Sequence, residues 1–192
     1  MTTTSHNIIR QKLIDLLIEK SIRTGQFVLS SGKTSNYYID ARLTTMSAEG
    51  LRVIGQLGLH AIRTAGWRPR FVGGLTLGAD PVAYAIARTS TESPPVVDAF
   101  TVRKQPKEHG TGQLLEGCFE AGARVVVVED VLTTGASALR AAAAARSAGG
   151  VVDGVLAVVD RGEGGGATIH AAGYDLRALL SLGDLGLSAS PG

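Results

Sequence analysis

The chain has 192 residues, 44% of them hydrophobic, which is enough for one domain of upper-middle size with a sizeable core. Its 19 basic and 17 acidic residues give a formal net charge of only +2, so no global electrostatic field marks nucleic acid or an anionic membrane as its partner. The single cysteine, Cys118, excludes an internal disulfide and every Cys-x-x-Cys pattern, and we expect it to be a small buried residue.

The opening sequence MTTTSHNIIRQK has no positively charged start followed by an apolar stretch, so it does not resemble a secretory signal. No apolar run approaches the roughly 20 residues needed to span a bilayer. These two features predict a cytoplasmic protein.

The first third of the chain predicts two helices with a hairpin between them. Apolar residues at helical spacing indicate an amphipathic helix over residues 7–20. Residues 27–29 and the stretch YYID favour two short strands, because the turn-rich SSGKTSN lies between them. Residues 47–65 predict a second helix, with Ser47 as its N-cap and Gly66 at its end.

From Phe71 onward, short apolar runs alternate with helical stretches. FVGGL, VVDAF, VVVVED and VLAVVD read as strands, whereas PVAYAIA and the alanine-rich ASALRAAAAARS read as helices. This alternation predicts a parallel sheet covered on both faces. The GEGGGA stretch after Arg161 is typical of a mobile turn. We find no long linker and no internal repeat, so we expect one α/β domain with an N-terminal attachment.

The stretch VVVVEDVLTTGAS places two adjacent acids, Glu129 and Asp130, between a buried strand and a polar loop. Ligands of open parallel sheets collect beyond the carboxyl ends of the strands, where we expect both acids to turn toward a ligand. Residues 132–137 supply backbone N–H groups and hydroxyls at the start of a helix, where a phosphate is favoured. A phosphorylated sugar fits this stretch, because the loop can bind its phosphate and the two acids can bind its diol. The alternative of a plain strand, helix cap and turn leaves Glu129 unexplained.

EDVLTTGAS closely resembles the phosphoribosyl diphosphate binding signature of type I phosphoribosyltransferases. The resemblance implies that family's α/β fold, a central mostly parallel sheet flanked by helices with a small N-terminal hood. On this interpretation residues 1–192 form a single domain, and the hood comes mainly from about residues 1–45, with room for a C-terminal contribution. The P-loop pattern G-x-x-x-x-G-K-[ST] does not occur, which argues against an ATPase or kinase of that kind.

The stretch RKQPKEHGTG, residues 103–112, is too polar and broken to pack as a helix. A solvated charged loop is the simplest reading, but beside a phosphate motif its cations could stabilise a departing diphosphate. Its pattern Arg-Lys-x-x-Lys-x-His-Gly is similar to the catalytic loop of orotate phosphoribosyltransferases, and Arg103, Lys104, Lys107 and His109 match it residue by residue. In that family the loop reaches the active site of the neighbouring subunit, which implies a homodimer with shared active sites.

Two further segments resemble the same family. FVLSSGKTSNYYIDAR looks like its N-terminal segment, in which Tyr37 and Tyr38 would be the aromatic pair beside orotate; as plain strand residues they would be core or half-buried. AVVDRGEG resembles its Asp-Arg tip, which makes Arg161 the candidate that grips orotate's carboxylate in a forked pair. Thr133 is the fourth residue that the resemblance assigns to orotate.

VGGLTLGADPVA fills the place of the family's diphosphate loop, with two departures. Ser30 stands where many bacterial members carry a lysine, and Gly78 falls where some carry another. Because both cations would have faced the diphosphate, we expect Lys33 or backbone donors to substitute, and we include Gly78 itself as a binding position.

The resemblance as a whole implies that phosphoribosyl diphosphate and orotate give orotidine 5'-monophosphate and diphosphate, a step of pyrimidine (UMP) biosynthesis. It implies Mg²⁺ as cofactor, held mainly by substrate phosphates rather than by a carboxylate cage. Lys104, His109 and Asp130 would be catalytic. The residues expected to bind phosphoribosyl diphosphate are Arg103, Lys104, Lys107, His109, Glu129, Asp130, Thr133, Thr134, Gly135 and Ser137.

Two rival functions are open at this point. The first is a phosphoribosyltransferase for another base such as a purine, against which Tyr37, Tyr38 and Arg161 argue. The second is a sugar-diphosphate sensor that regulates transcription or RNA without catalysis. The spread of the basic residues and the short N-terminal segment speak against a nucleic-acid face, so neither nucleic acid nor membrane is expected as a partner.

Overall fold

The computed structural model of the chain describes residues 3–28, 34–105 and 114–188. Its helices are α1 (Thr3–Leu16), α2 (Arg42–Thr45), α3 (Ala48–Thr64), α4 (Ala79–Ser90), α5 (Ala136–Ser147) and α6 (Gly165–Ala171), with a π-helical turn at Leu17–Ser21 and a 3-10 turn at Gly183–Leu185. Its strands are β1 (Ile22–Val28), β2 (Thr34–Ile39), β3 (Phe71–Leu75), β4 (Asp98–Val102), β5 (Leu115–Gly117), β6 (Arg124–Leu132), β7 (Val151–Asp160) and β8 (Leu176–Ser181).

The central sheet of the described residues has the strand order β5-β4-β3-β6-β7-β8. Every neighbouring pair is parallel except β4 and β5, which run antiparallel at the edge. The sequence therefore predicted the parallel sheet correctly, while β5 and β8 carried too weak a pattern to be predicted. Because β3, β4, β6 and β7 are parallel, their carboxyl ends and the loops that follow them meet at one edge.

Helices cover both faces of the sheet, as the alternation of strands and helices predicted. Along β6 the side chains alternate: Val126 and Val128 pack on the face covered by α1, α3 and α4, and Val125 and Val127 pack on the face covered by α5. Five alanines of α5 are buried against the second face, where their small side chains allow close contact with the strands: Ala138, Ala141, Ala142, Ala144 and Ala145.

The N-terminal third contains the predicted helices and hairpin, but β1 begins at Ile22, five residues before the predicted strand at 27–29, and α2 was not predicted. Strands β1 and β2 form an antiparallel hairpin, and α1 begins at Thr3, four residues before the predicted start. Ser47 is the N-cap of α3, since its side chain accepts a hydrogen bond from the Gly50 backbone N–H. None of the helices in the described part of the chain has the length and apolar character that a membrane span requires.

Three expectations about local structure were wrong. The GEGGGA stretch is not a turn throughout its length, because α6 begins within it at Gly165 after the left-handed Gly164. Strand β6 does not end at Asp130 but continues to Leu132, paired with β7. Cys118 is exposed rather than buried, because it directly follows the short edge strand β5.

Candidate active site

The acids of the EDVLTTGAS stretch lie at the carboxyl edge of the sheet, near the end of β6, and face different loops. Glu129 lines a small pocket together with the loop between β6 and α5. Asp130 lies beside Gly78, in the loop between β3 and α4. The alternation of side chains along a strand explains this separation. A ligand that contacts both carboxyl groups must therefore lie over the end of β6, between the two loops.

The loop after β6 has the form of an anion cradle. Thr133, Thr134, Gly135 and Ser137 line the same small pocket as Glu129. Gly135 is the left-handed N-cap of the 12-residue helix α5, so the N–H groups of its first turn and the positive end of the helix dipole lie at this pocket. Such an arrangement favours a phosphate group.

Glu129 is buried, with only 8% of the residue exposed. Burial, and next the charge of Asp130, raise the pKa of Glu129 to about 8. Its Oε2 atom has no hydrogen-bond partner among the described residues. Burial therefore favours the protonated form of Glu129 in the ligand-free site, and a protonated carboxyl group can donate a hydrogen bond to a hydroxyl as well as accept one.

Burial also raises the pKa of Asp130, although the Val131 backbone N–H donates to Asp130 Oδ1 at 2.9 Å and opposes the shift. The positive charge of Arg42 likewise lowers the pKa of Asp130, and the negative charge of Asp40 raises it. Arg42 is held in two-point contact with Asp40, with Nε–Oδ1 at 2.8 Å and Nη2–Oδ2 at 3.0 Å. This pair was not predicted from the sequence; its signal is the Asp-x-Arg spacing that follows the two tyrosines after Ile39.

Gly78, where the family resemblance led us to expect a missing lysine, lies directly beside Asp130. A Cβ atom at this position would lie 2.4 Å from Asp130 Oδ1 and 2.7 Å from its Cγ, closer than real contacts allow. No side chain therefore fits at position 78 while Asp130 keeps its conformation. The absence of a side chain lets the loop backbone lie directly against the acid.

Asp80 holds the loop between β3 and α4 in place through hydrogen bonds. This role was also not predicted from the sequence. Its buried carboxylate accepts hydrogen bonds from Thr76 Oγ1 at 2.6 Å and from Thr101 Oγ1 at 2.8 Å. Thr76 belongs to the loop after β3, and Thr101 to β4, so this carboxylate joins two strand ends. Its position in the first turn of α4, after a glycine-rich strand, was the available signal.

The two tyrosines of β2 point to opposite sides of the hairpin. Tyr37 is 4% exposed, and the Arg161 guanidinium carbon lies 5.3 Å from its ring centroid. Tyr38 is about half exposed and packs on Phe27 with ring centroids 5.9 Å apart. The hairpin thereby brings Tyr37 onto Arg161, the residue directly after β7, at the same edge of the sheet as Glu129 and Asp130.

The described part of the basic segment lies at the end of β4. Arg103 forms an ion pair with Glu116 of β5, Nη1–Oε1 3.3 Å, and its Nε donates to the Gln105 carbonyl. Lys104 is exposed, and its carbonyl accepts a hydrogen bond from Arg140 of α5. The other predicted residues of the site, Lys33, Lys107 and His109, lie outside the described residues, as does the departure at Ser30.

Comparison with known proteins gives close relatives over nearly the whole chain. An orotate phosphoribosyltransferase of Corynebacterium glutamicum (strain R) is 47% identical over 189 residues, which are 98% of this chain and 100% of the relative. The crystal structure of the Mycobacterium tuberculosis H37Rv orotate phosphoribosyltransferase in complex with Fe(III) dicitrate is 46% identical, with a TM-score of 0.83, covering 93% of this chain and 99% of that one. The same protein in complex with 5-phospho-alpha-D-ribosyl 1-diphosphate is 43% identical, with a TM-score of 0.79 and the same coverage. No family model matches the chain.

A parallel sheet of this strand order, with two acids and an anion-binding loop at the end of its central strand, defines the chain as a type I phosphoribosyltransferase. Such proteins are transferase enzymes. With 47% identity over almost the full length of a relative, the chain belongs to the orotate phosphoribosyltransferase family.

Proposed function

We propose that the chain transfers the phosphoribosyl group of phosphoribosyl diphosphate to orotate, giving orotidine 5'-monophosphate and diphosphate in de novo UMP synthesis. The observation that carries the proposal is the pairing of Glu129 and Asp130 with the anion-binding loop 133–137 at one edge of the sheet. A phosphorylated pentose presents a phosphate and a diol on one ring, which is the combination that these groups can bind.

In the proposed complex the loop binds the 5'-phosphate of the donor, through Thr133, Thr134, Gly135 and Ser137. Glu129 and Asp130 bind the ribose hydroxyls. The C1 carbon of the ribose develops positive charge as the diphosphate leaves, and the nearby carboxylate of Asp130 stabilises that charge. The nitrogen of orotate then forms the new bond to C1 in place of the broken C1–O bond, and its proton is released to the diphosphate or to water, so no nucleophilic serine or cysteine is required.

The departing diphosphate needs cations. Arg103, Lys104, Lys107 and His109 are the proposed donors, and Lys104, His109 and Asp130 are the residues to which we assign catalytic roles. Arg103 already pairs with Glu116, so its contribution requires that this ion pair be shared or opened. The chain has Ser30 and Gly78 at two positions where the family resemblance leads us to expect lysines. We propose that Lys33 and the backbone N–H groups near Gly78 bind the diphosphate in their place.

We further propose that Mg²⁺ accompanies the donor. The described residues contain no group of three or more His, Cys, Asp or Glu side chains able to enclose a metal ion. The carboxyl groups of Glu129 and Asp130, near the end of β6, suit a Mg²⁺ ion that is coordinated mostly by substrate phosphates and water. When bound, Mg²⁺ would neutralise part of the diphosphate charge, and Glu129 and Asp130 would orient the ribose.

Orotate is proposed to bind beside Tyr37, Tyr38, Thr133 and Arg161. A guanidinium fork matches a carboxylate in two parallel hydrogen bonds, and this favours orotate over bases that lack the group. We also propose a homodimer with shared active sites and a cytoplasmic location, in keeping with a reaction whose donor is a highly charged phosphate ester.

The absorbance of orotate in the ultraviolet provides the test. With phosphoribosyl diphosphate and Mg²⁺ we expect a time-dependent loss of this absorbance, and no loss when a chelator removes the metal. Adenine, guanine and uracil in place of orotate test the other-base alternative. Binding of the donor without turnover of any base would contradict the enzyme and favour a sensor.

Asp130→Asn tests the role of the acidic pair in the same assay. We expect the KM for phosphoribosyl diphosphate to rise and kcat to fall by roughly 10² or more, because a preorganised charge beside the developing cation is lost. Asp98→Asn is the matched control, since Asp98 is exposed at the opposite end of the sheet, at the start of β4. Equal kinetics for Asp130→Asn and Asp98→Asn would refute the assignment.

A further inference from the structure

Arg161 is a largely enclosed cation at the edge of the sheet. Its side chain is 13% exposed, and the Tyr37 ring covers one face of the guanidinium. Its backbone N–H donates to the Leu132 carbonyl at 3.0 Å, which fixes the residue to the end of β6. An enclosed arginine needs a partner charge, because an unpaired buried ion is costly.

The partner of Arg161 is Glu163, two residues further along the chain. Glu163 Oε1 lies 2.7 Å from Arg161 Nη2. Arg161 Nε, on the same edge of the guanidinium fork, is buried and has no hydrogen-bond partner among the described residues. Of the two donors on this edge of the guanidinium, Nη2 is therefore paired and Nε is not. A carboxylate in two-point contact would accept hydrogen bonds from both Nε and Nη2.

Glu163 can leave this position at low cost. Its side chain is 34% exposed, so its carboxylate can return to water. It lies between Gly162 at φ 67° and Gly164 at φ 89°, and a Cβ atom at either glycine would meet no other group within 4 Å. The segment that carries Glu163 is thus loosely packed, whereas Arg161 is held by Tyr37 and Leu132.

We infer that Glu163 is a stand-in for the carboxylate of the base: it pairs with Arg161 while the site is empty and is displaced when orotate binds in two-point contact. This inference rests on the proposed function of the site. Two carboxylates cannot share one fork without repulsion, so the internal acid competes with the substrate. A base without a carboxylate cannot displace Glu163 and gains nothing from Arg161. Glu163 thereby keeps the charge of Arg161 compensated in the empty site and weakens the binding of orotate, while bases without a carboxylate are unaffected.

Glu163→Gln removes the competing charge and keeps the shape of the side chain. We expect the KM for orotate to fall by roughly fivefold, the effect of losing one partly exposed ion pair, with kcat unchanged. Inhibition by uracil, which has no carboxylate, should keep its inhibition constant. Glu163→Ala should change the KM for orotate in the same direction.

Glu120→Gln is the matched control, because Glu120 forms an exposed ion pair of the same length, 2.7 Å, with Arg70 away from the site. Melting temperatures verify that each variant is folded. An orotate KM that is unchanged or raised in Glu163→Gln, in a wild-type enzyme that converts orotate, overturns the inference alone. Failure of the wild-type chain to convert orotate would overturn the proposed function, and the stand-in role with it.

Discussion

Replacing Glu129 by glutamine should change how the stability of the ligand-free protein depends on pH. The pKa of Glu129 is raised to about 8 in the folded chain, mainly by burial, from an ordinary value of 4.5. Below pH 4.5 the carboxyl group is protonated in both states and has no effect. As pH rises from 4.5 to about 8, the unfolded chain loses this proton while the folded chain keeps it, so the free energy of unfolding falls. Above about pH 8 the loss is complete and constant.

The size of the effect follows from the two pKa values. The full difference between 4.5 and about 8 corresponds to about 5 kcal/mol. Between about pH 5.5 and about pH 8.5, the wild-type chain should lose roughly 3 kcal/mol of stability through this group alone. Glu129→Gln has no such titration, and any packing cost of the buried amide is the same at both pH values.

Urea denaturation of the ligand-free protein at the two pH values is the assay. The quantity of interest is the change in the free energy of unfolding with pH in wild type minus the same change in Glu129→Gln, because other titrating groups cancel. Glu120→Gln, an exposed position, should behave like wild type. Parallel stability profiles for wild type and Glu129→Gln would refute the reasoning.

Two further predictions concern Gly78 and Ser47. Gly78→Ala should raise the KM for phosphoribosyl diphosphate roughly tenfold or more with little change in melting temperature, since its Cβ atom would force the Asp130 carboxylate to shift; steady-state kinetics measure this, and a KM equal to wild type would contradict it. Ser47→Ala should reduce the free energy of unfolding by about 1 kcal/mol through loss of the hydrogen bond to the Gly50 N–H. Urea denaturation measures that loss, kcat should not change, and undiminished stability would show that the cap contributes nothing.

The parallel sheet and the site at its carboxyl edge were predictable because their signals are local. VVVVED is a continuous apolar run ended by acids, and TTGAS carries the loop and helix start in the next few residues. Ser47 likewise indicated the start of α3, because an N-cap serine lies directly before the helix. Each of these features depends on residues adjacent in sequence, so periodicity and capping preferences suffice.

Features that depend on packing between distant segments could not be predicted. The different directions of Glu129 and Asp130 follow from the continuation of β6 to Leu132, which is set by pairing with β7. The exclusion of a side chain at Gly78 depends on Asp130, more than fifty positions later. The Arg161 and Glu163 pair is close in sequence, but its enclosure comes from Tyr37 on the N-terminal hairpin.

The exposed position of Cys118 affects how the assembly of the protein can be measured. It is the chain's single thiol, and it lies on the surface beside the short edge strand β5. Air oxidation can therefore join two molecules covalently at this point, and a species of twice the mass would then arise without any native contact between subunits. Sedimentation or light scattering of this protein should be performed in reducing buffer, or on Cys118→Ser, where crosslinked pairs cannot form.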